Sequence, residues 1–595
     1  MEPRYCTIQE SPVSPEVSGI ADASSQDWWC SRTDTLNAIM RRSRSGHSIE
    51  PLSDFVDDYL GYLHESHPTE AAFDGVHLHD DVLEDYSRES IETQGRELGG
   101  WARRLESIDA STLTREERVE HRMLADSIRG RLFALEELRP WQRNPLHYAE
   151  TLASSVAVHV LFAHAPLTER ARRIVSKLRQ TPRLLEAARK NVTDPPGLFA
   201  KVGIETLEGV INFFERDLPR AFHNLDDMHL LGDLADASTI AVGALRDYTR
   251  HLRETVAPRS RASFRLGAER FGQLLRLTEG IDVPAERLLE IAVRDLKATR
   301  EEFDKIAGQL GDDPLKVWND VKMRHPGADE LLSVVDGQLQ ELVAFIRRKR
   351  LMTIPDHDPV RVAQTPDFYR WTTASMWSPG AFESKPLPAY YYVTNVDASW
   401  SVERQEEHLR DFNYATLPSI SIHEAFPGHF LHFEHLRQLE APLRKSAFLM
   451  PVSFVEGWAH YAEQLMFDEG FEKGNAEAKL GQLAEALLRL ARTVVGIRLH
   501  TEDLSVEQGV RFFRDEALLE ESTARREAER GTFDPQYVLY ALGKRILLKL
   551  REDCEAKDGN LFSLSGFHDQ LLGQGGLPFW AHRELMLGEP GALFD

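Results

Sequence analysis

The feature that most constrains the fold is a helical repeat of apolar residues, which dominates the chain from Leu52 onward. In FVDDYLGYLHE, the side chains of Phe55, Tyr59 and Leu63 lie near one face of a helix, with acidic residues opposite. Apolar residues three or four positions apart are typical of amphipathic α-helices. The same pattern recurs in ERVEHRMLADSIRGRLFALEEL, ERARRIVSKLRQTPRLLEAARKNV and AERLLEIAVRDLKATREEFDKIAGQL. The sequence therefore predicts a mainly α fold with a large, bundle-like helical body.

The domain organisation follows from what interrupts this pattern. A chain of 595 residues has room for about four average domains. Yet no Gly/Ser linker divides it, and it contains no internal repeat. We therefore expect a single large helical domain over residues 49–595. Residues 1–48 are rich in Ser, Pro, Asp and Arg and show weak periodicity, so we expect a mobile N-terminal extension there.

The charge balance excludes several classes of partner. The chain has 71 Lys and Arg residues against 95 Asp and Glu residues, which gives a net charge of −24. Because binding to nucleic acid or to an anionic membrane surface needs a cationic patch, we expect neither partner. A bilayer-spanning helix needs about 18 apolar residues in a row, and no such run is present. The best candidate, residues 151–167, contains His159, His164 and Pro166 and is expected to be a buried helix.

The cysteine content bears on the compartment. Cys6, Cys30 and Cys554 are too few for a disulfide framework, which suits a reducing environment. The first residues show no basic segment followed by an apolar one, the pattern of a secretory signal. The sequence therefore predicts a cytoplasmic protein.

One stretch departs from the helical pattern. Residues 358–400 are rich in Pro, Trp and Tyr, and residues 389–396 have high β propensity. We expect a short strand or hairpin there, shortly before the most informative segment of the chain. Its open edge would be able to bind an extended substrate, with Tyr391 and Asn395 in contact with that substrate.

The most informative segment is SISIHEAFPGHFLHFEHL, residues 419–436, where Glu424 directly follows His423. Imidazole is a common zinc ligand, and a Glu in this position reaches zinc-bound water in the HExxH motif. Here, however, His423 and His429 are six residues apart, about 120° apart on an ideal helix. Pro427 and Gly428 interrupt that helix, so a widened turn would return His429 to the side of His423. The alternative is that these are ordinary surface histidines on a broken helix.

A third metal ligand is expected in SFVEGWAHYAEQLM, residues 453–466. Glu456, His460 and Glu463 have the spacing i, i+4 and i+7, which places them on one face of a helix. A carboxylate on an otherwise apolar helix is costly unless it is paired or metal-bound. Glu456 is therefore the candidate ligand, and His460 and Glu463 are expected to support the ligands from behind. The alternative is a solvated acidic stripe.

Four segments carry a family resemblance: HEAFPGHF, FVEGWAHYAEQLM, RGTFDPQYVLYALGKRILLKLRED and FHDQLLGQGGLPF. Together they resemble the bacterial family named domain of unknown function 885, from about Leu52 to the end of the chain. That family is similar, more remotely, to the all-helical zinc peptidases that include carboxypeptidase Taq, the oligopeptidases and angiotensin-converting enzyme. The resemblance implies a gluzincin-like helical body with a deep cleft. It also implies a metal held by His423, His429 and Glu456, with Glu424 as general base.

These features predict a zinc-dependent metallohydrolase, most readily a peptidase that cleaves short peptides. Zn2+ is the expected cofactor, although manganese or cobalt also suits these ligands. The tetrahedral oxyanion of such a reaction needs a further donor. The helical peptidases use late Tyr and His residues, which by analogy favours Tyr537, Tyr540 and His500 here. Tyr540 is equally well explained as a plain core aromatic.

A substrate carboxylate would be held by basic side chains late in the chain, which otherwise pair with nearby acids. The candidates are Arg492, Arg498, Lys544 and Arg545.

Two other functions agree with the same residues. The substrate of the metal-activated water would then be a non-peptide amide metabolite, or the chain would be a catalytically silent helical binding protein that retains the site as a relic. The silent protein predicts a blocked cleft or ligands too far apart for zinc. The sequence leaves the oligomeric state open.

Overall fold

The computed structural model describes residues 50–356, 359–366, 370 and 373–595. The N-terminal extension predicted over residues 1–48 lies outside the described residues. From Leu52 to Asp595 the chain forms one compact unit. Its elements are mainly helices, which confirms the predicted fold class.

The first half of this unit is helical throughout its described elements. These helices are α1 Leu52–Ser66, α2 Pro68–Asp74, α3 Arg88–Glu106, α4 Arg115–Phe133, α5 Pro140–Arg143, α6 Pro145–Leu161, α7 Leu167–Asn191, α8 Gly197–Asn212, α9 Leu218–Ala221, α10 Met228–His251, α11 Ala268–Glu279, α12 Ala285–Ala307, α13 Pro314–Lys322 and α14 Leu331–Lys349.

The second half begins with three short strands and then returns to helices. The strands are β1 Val360–Gln364, β2 Ala374–Trp377 and β3 Ala389–Val393. The helices are α15 Val402–Arg410, α16 Leu417–Glu424, α17 His429–Arg437, α18 Pro442–Lys445, α19 Val452–Asp468, α20 Ala476–Thr501, α21 Val506–Glu516, α22 Glu521–Phe533, α23 Leu539–Asp558, α24 Leu564–Gly573 and α25 Phe579–Leu587.

Local sequence chemistry sets several helix starts. At α4, the Thr114 hydroxyl accepts from the backbone N–H of Glu117, and the Glu117 carboxylate accepts from the N–H of Thr114. This capping box satisfies two donors that the first helical turn would otherwise leave unpaired. At α6, Asn144 caps the helix and Pro145 occupies its first turn, where a missing N–H costs nothing.

The predicted strand is present as β3, at the centre of a three-stranded sheet with order β1-β3-β2. It pairs parallel with β1 and antiparallel with β2, so that Tyr391 lies between Val362 and Met376. Because β3 has a partner on each side, the prediction that it binds substrate through an open edge is wrong. The antiparallel pair of β2 and β3 matches the hairpin alternative, whereas nothing in the sequence separately indicated β1, which is only five residues long.

The core is divided among several apolar clusters. The largest one joins α12, α14, the sheet and most of the helices from α16 to α25, with Trp458 and Tyr461 among its fully buried side chains. A second cluster joins α6, α7, α8 and α10. Of the stretch predicted as a buried helix, residues 151–161 lie in α6, most of whose residues are buried, whereas the part with His164 and Pro166 follows the end of the helix. Within the described ranges, no helix is both long enough and apolar enough to cross a bilayer.

The crossing of α19 and α23 is unusually close. A Cβ atom on Gly457 would lie 2.6 Å from the carbonyl carbon of Gly543, and one on Gly543 would lie 2.0 Å from the carbonyl oxygen of Ser453. Only two glycines allow the backbones to approach so closely. The contact holds the start of α23, which carries Tyr540, against the part of α19 that carries Glu456.

Candidate metal centre

The helix that carries the histidine motif is interrupted, as the sequence predicted. Helix α16 ends at Glu424, and α17 begins at His429. The peptide bond between Phe426 and Pro427 is cis. The N–H of Gly428 turns back to donate to the carbonyl of Ile422 at 2.9 Å. A Cβ atom at position 428 would lie 1.9 Å from the carbonyl oxygen of His423, so this turn requires glycine.

This turn brings His423 and His429 together despite their six-residue spacing. Their ring centroids lie 4.7 Å apart, and the ring planes meet at 86°. Glu456 on α19 completes the set, with its Oε2 3.4 Å from Nε2 of His423 and 3.5 Å from Nε2 of His429. A zinc ion about 2.0–2.2 Å from each ligand in a tetrahedron separates the ligand atoms by about 3.4 Å. The three side chains thus have the spacing of a zinc site.

The hydrogen bonding of these atoms also fits a cation. Among the described residues, the buried Oε2 atom of Glu456 has no hydrogen-bond partner. A buried carboxylate oxygen without a partner is costly, and a metal ion between it and the two imidazoles removes that cost. The three ligand atoms, all within 4.8 Å of one another, therefore form a donor set suited to zinc.

The charges in the cluster reinforce one another. Burial would raise the pKa of the Glu456 carboxyl, but the neighbouring His429 and His423 outweigh burial and hold that pKa well below its usual range. Burial would likewise lower the pKa of His423, but the neighbouring carboxylates of Glu456 and Glu463 outweigh burial and raise it to about 9. The carboxylate of Glu456 is thus kept ionised, as a metal ligand must be.

Glu463 lies behind the ligands and orients one of them. Its Oε1 atom accepts a hydrogen bond from Nδ1 of His423 at 2.8 Å. This bond holds Nδ1 of His423 so that Nε2 faces Glu456, and a carboxylate on the outer nitrogen is found behind many zinc-bound histidines. Arg489 on α20 holds the same Glu463 oxygen at 3.2 Å. The structure thus places Glu463 where the sequence predicted a supporting group.

His460 is the other predicted supporting residue. Its Nδ1 lies 3.4 Å from Oε1 of Glu463. Burial, together with the nearby Lys544 charge, lowers the pKa of His460 to about 3. His460 is therefore neutral and adds no positive charge behind the ligands.

Glu424 ends α16 beside the ligand His423 and is half-buried. Among the described residues its carboxylate makes no hydrogen bond and no ion pair. The pKa of Tyr391 is raised mainly by burial and, to a smaller extent, by the nearby negative charge of Glu424. A carboxylate next to the ligands without a partner is available to exchange a proton with water.

Tyr540 is the predicted oxyanion donor that the structure brings closest to the ligands. Its ring lies nearly parallel to that of His423, with centroids 6.3 Å apart. Burial and then the Glu456 charge raise the pKa of Tyr540 to about 12. The guanidinium groups of Arg492 and Arg530 lie 5.1 Å and 6.0 Å from its ring centroid. The phenol therefore stays protonated and able to donate.

Comparison with known proteins places the chain among relatives. The family described as "Bacterial protein of unknown function (DUF885)" matches residues 68–586. The chain belongs to this family. The resemblance predicted from the sequence motifs is thereby confirmed for the family itself. No curated protein matches the chain.

Two solved structures resemble this DUF885 protein over nearly its whole length. One is titled "a putative lipoprotein of unknown function from Shewanella oneidensis", with 24% identity, a TM-score of 0.75 and coverage of 90% of this chain and 100% of that chain. The other is "the putative lipoprotein from Colwellia psychrerythraea", with 18% identity, a TM-score of 0.77 and coverage of 91% and 99%. At these identities the likeness establishes the fold alone.

The structure does not bring two other predicted donors to the ligands. His500 lies eleven residues beyond Arg489 on α20, about 16 Å further along the helix axis. Its Nε2 donates to the carbonyl of Gly531 at 2.8 Å, and its ring stacks on Phe271. The hydroxyl of Tyr537 is buried without a hydrogen-bond partner among the described residues and packs against Gly531.

Two side chains that were predicted to contact substrate make contacts within the protein instead. Tyr391 is fully buried, and its hydroxyl lies 3.4 Å from that of Ser421. The side-chain amide of Asn395 donates to the carbonyl of Ala328 at 2.5 Å and accepts from the N–H of Val396 at 2.8 Å. Both side chains therefore hold the sheet region in place.

The basic candidates mostly pair with acids. Arg492 makes two hydrogen bonds of 2.7 Å to Glu527. Arg545 contacts the side chain of Asp595, and Arg498 lies 3.7 Å from Glu502. Burial lowers the pKa of Lys544 to about 8. These contacts leave no pair of free guanidinium groups, within these candidates, for a substrate carboxylate.

Sequence reasoning missed Arg489 and Arg530. Both are basic residues on helices with buried faces, and such residues usually extend to solvent. The available signal for Arg489 was its place in LLRLARTVV, where neighbouring residues are apolar.

Proposed function

We propose that this DUF885 protein is a zinc-dependent metallohydrolase that cleaves peptide bonds in short peptides. The observation that carries the proposal is the convergence of His423, His429 and Glu456 beside an unpartnered Glu424. A purely structural zinc site needs four closed ligands and no adjacent base. Here three ligands meet, and a carboxylate stands next to them, which is the arrangement of a hydrolytic site.

The chemistry divides between the metal and the chain. A zinc ion held by these ligands supplies Lewis-acid activation of water and of the scissile carbonyl. Glu424 accepts a proton from the attacking water and later delivers it to the leaving amine. The Tyr540 phenol donates a hydrogen bond to the oxygen that gains negative charge at the tetrahedral stage. Glu463 keeps the His423 imidazole in the tautomer that binds metal.

The test compares Glu424→Gln with the matched surface change Glu440→Gln in zinc-loaded protein. Glu424→Gln preserves the side-chain shape but removes the base, so we expect kcat to fall by about 10²–10⁴-fold with zinc content unchanged. Glu440 is exposed on the segment after α17, so its variant should match the wild type. Equal turnover in both variants would contradict Glu424 as the base.

The substrate class is tested with the same protein. A mixture of short peptides, analysed by mass spectrometry beside a panel of non-peptide amides, separates a peptidase from a hydrolase of another amide. Cleavage of peptides that is lost in Glu424→Gln supports the proposal. Turnover confined to the non-peptide panel contradicts the peptide assignment, and turnover of neither set favours a silent binding protein.

We also propose that the protein acts in the cytoplasm, because its three cysteines are too few for a disulfide framework. The two structural neighbours carry the word lipoprotein in their titles, which makes a membrane-attached location the alternative. Fractionation of cells that express the full chain decides between the two. Recovery in the membrane pellet, released only by detergent, would contradict the cytoplasmic assignment.

A further inference from the structure

We propose that the chain holds a second divalent metal ion, of the zinc type, between His77, Asp80 and His164. This site does not depend on the function proposed above. The three residues come from two loops, one between α2 and α3 and the other between α6 and α7. Their ligand atoms all lie within 4.8 Å of one another. We define these three residues as the second cluster.

The distances within the second cluster centre on Asp80. Its Oδ2 atom lies 2.9 Å from Nδ1 of His77 and 3.5 Å from Nε2 of His164. Nδ1 of His159, near the end of α6, lies 3.8 Å from the same oxygen and 3.3 Å from Nε2 of His164. Ligand atoms around a tetrahedral zinc ion are about 3.4 Å apart. His159 is therefore the nearest candidate for a fourth ligand.

Several polar atoms of this region are buried and unsatisfied. Among the described residues, Oδ1 of Asp80, Nδ1 of His164 and Nε2 of His159 have no hydrogen-bond partner. Asp80 is 2% exposed and His159 is 0% exposed. These unsatisfied atoms are the outer ones, and the ion is supported by the atoms that face one another: Oδ2 of Asp80, Nε2 of His164 and Nδ1 of His159 lie 3.3–3.8 Å apart.

A further carboxylate orients one of the ligands. Oε1 of Glu383 accepts from Nε2 of His77 at 2.9 Å, which leaves Nδ1 of His77 directed at Asp80. This repeats the role of Glu463 behind His423, since carboxylates commonly hold the outer nitrogen of a metal-bound histidine. The neighbouring Phe382 donates its N–H to the carbonyl of Asp74 at 2.9 Å. The ion would thus fasten the loop before β3 to the helices of the first half.

Two features oppose the ion and define the competing interpretation. Arg173 contacts Asp80 as well as Glu169, so it is able to act as the counter-charge in a closed hydrogen-bond network. The rings of His77 and His164 are nearly parallel, with centroids 4.0 Å apart, so an ion in both ring planes requires one ring to turn. His164 is the ring that turns, because its Nδ1 has no partner holding it. Its neighbour Lys177 is directed elsewhere and donates to the carbonyl of Ser155 at 3.2 Å.

The donor set decides which cation fits. Calcium and magnesium prefer six or more oxygen ligands. Two or three imidazoles with one carboxylate favour zinc and its neighbours in the first transition row. Zinc is therefore the probe ion for the test.

The experiment counts zinc per chain by elemental mass spectrometry after the full chain is stripped with a chelator and dialysed against Zn2+. We expect two ions in the wild type, one in His164→Ala and one in His429→Ala. Asp80→Asn preserves the side-chain shape and should also lose one ion. His582→Ala, at a buried histidine outside both clusters, should keep two. Circular dichroism checks that each variant is folded.

The two proposals fail in different ways in this experiment. If the wild type holds one ion that only His429→Ala removes, the second cluster is a metal-free network around Arg173 and the inference is overturned. If the wild type holds one ion that only His164→Ala removes, the inference stands and the proposed catalytic centre is wrong. Zinc content equal to the wild type in both His164→Ala and Asp80→Asn also overturns the inference.

Discussion

The candidate metal centre on α16, α17 and α19 and the second cluster around Asp80 use the same residue types in different arrangements. At the metal centre the two imidazoles meet at 86°, and a single carboxylate oxygen lies 3.4 Å and 3.5 Å from them. In the second cluster two imidazoles are parallel, and Arg173 contacts the central carboxylate. The two sites differ in the counter-charge that the chain itself supplies, because Arg173 already contacts the carboxylate of the second cluster.

The two sites have the features that distinguish a catalytic metal site from a structural one. At the candidate metal centre, the supporting groups Glu463 and Arg489 lie behind His423, while Glu424, the residue after His423, has no hydrogen-bond or ion-pair partner among the described residues. In the second cluster, Asp80 is enclosed by three histidines and an arginine, and Glu383 links it to a distant loop. A catalytic metal needs an open position, whereas a structural metal does not.

The largest effect should come from the hydroxyl next to the metal centre. Tyr540→Phe removes the proposed oxyanion donor, and we expect kcat to fall by about 10²–10³-fold with little change in KM. Tyr537→Phe is the matched comparison, because that hydroxyl is buried against Gly531 away from the ligands. Steady-state kinetics on one cleaved peptide measures both. Equal losses in the two variants would show that Tyr540 has no special role.

The next effect concerns the turn that creates the metal centre. Gly428→Ala forces a Cβ atom to within 1.9 Å of the His423 carbonyl oxygen. Overpacking of this kind costs about 3 kcal/mol of unfolding free energy, roughly a 10²-fold change in the unfolding equilibrium, and should also weaken zinc binding. Gly209→Ala, in α8 where nothing lies within 4 Å, should be neutral or slightly stabilising. Urea unfolding of the two variants makes the comparison, and a harmless Gly428→Ala would contradict the turn geometry.

A smaller effect is expected behind the ligands. Glu463→Gln removes the carboxylate that fixes His423, so zinc affinity at the metal centre should weaken by about 10–100-fold. Glu485→Gln removes the other carboxylate that contacts Arg489 without touching His423, and its affinity should change less. Competition with a chromophoric chelator measures both dissociation constants. If Glu485→Gln weakens binding as much as Glu463→Gln, the contact to His423 is not what matters.

The smallest effect separates the two clusters directly. Glu383→Gln should weaken zinc binding only at the second cluster, by about tenfold, because Glu383 contacts His77 and no ligand of the metal centre. The same chelator titration on His429→Ala protein isolates the second cluster for this measurement. An unchanged affinity in Glu383→Gln would mean that His77 is not oriented for a metal.

The amino-acid sequence predicted the helices and the meeting of His423 with His429, because both depend on local spacing. Apolar periodicity located α1, α4, α7 and α12, and a run of β-prone residues located β3. The ligands His423 and His429 were recognisable because a glutamate and a Pro-Gly pair lie between them in the same short segment.

What sequence could not predict depends on residues that are distant along the chain. Glu383 contacts His77 across 306 positions, and no local spacing signals such a contact. The partners of β3 are too short to show alternation, so the occupied edges of that strand were not foreseen. The sequence alone could not rank His500 against Tyr540 as the oxyanion donor. The crossing of α19 and α23 in the structure shows that Tyr540 is the one that lies near His423.

The most direct test of the account is X-ray diffraction from crystals of the zinc-soaked full chain, recorded on both sides of the zinc absorption edge. The account predicts an anomalous peak about 2.0–2.2 Å from Nε2 of His423, Nε2 of His429 and an oxygen of Glu456. Well-diffracting crystals with no anomalous density between these three side chains would contradict the metal centre on which the proposed hydrolase depends.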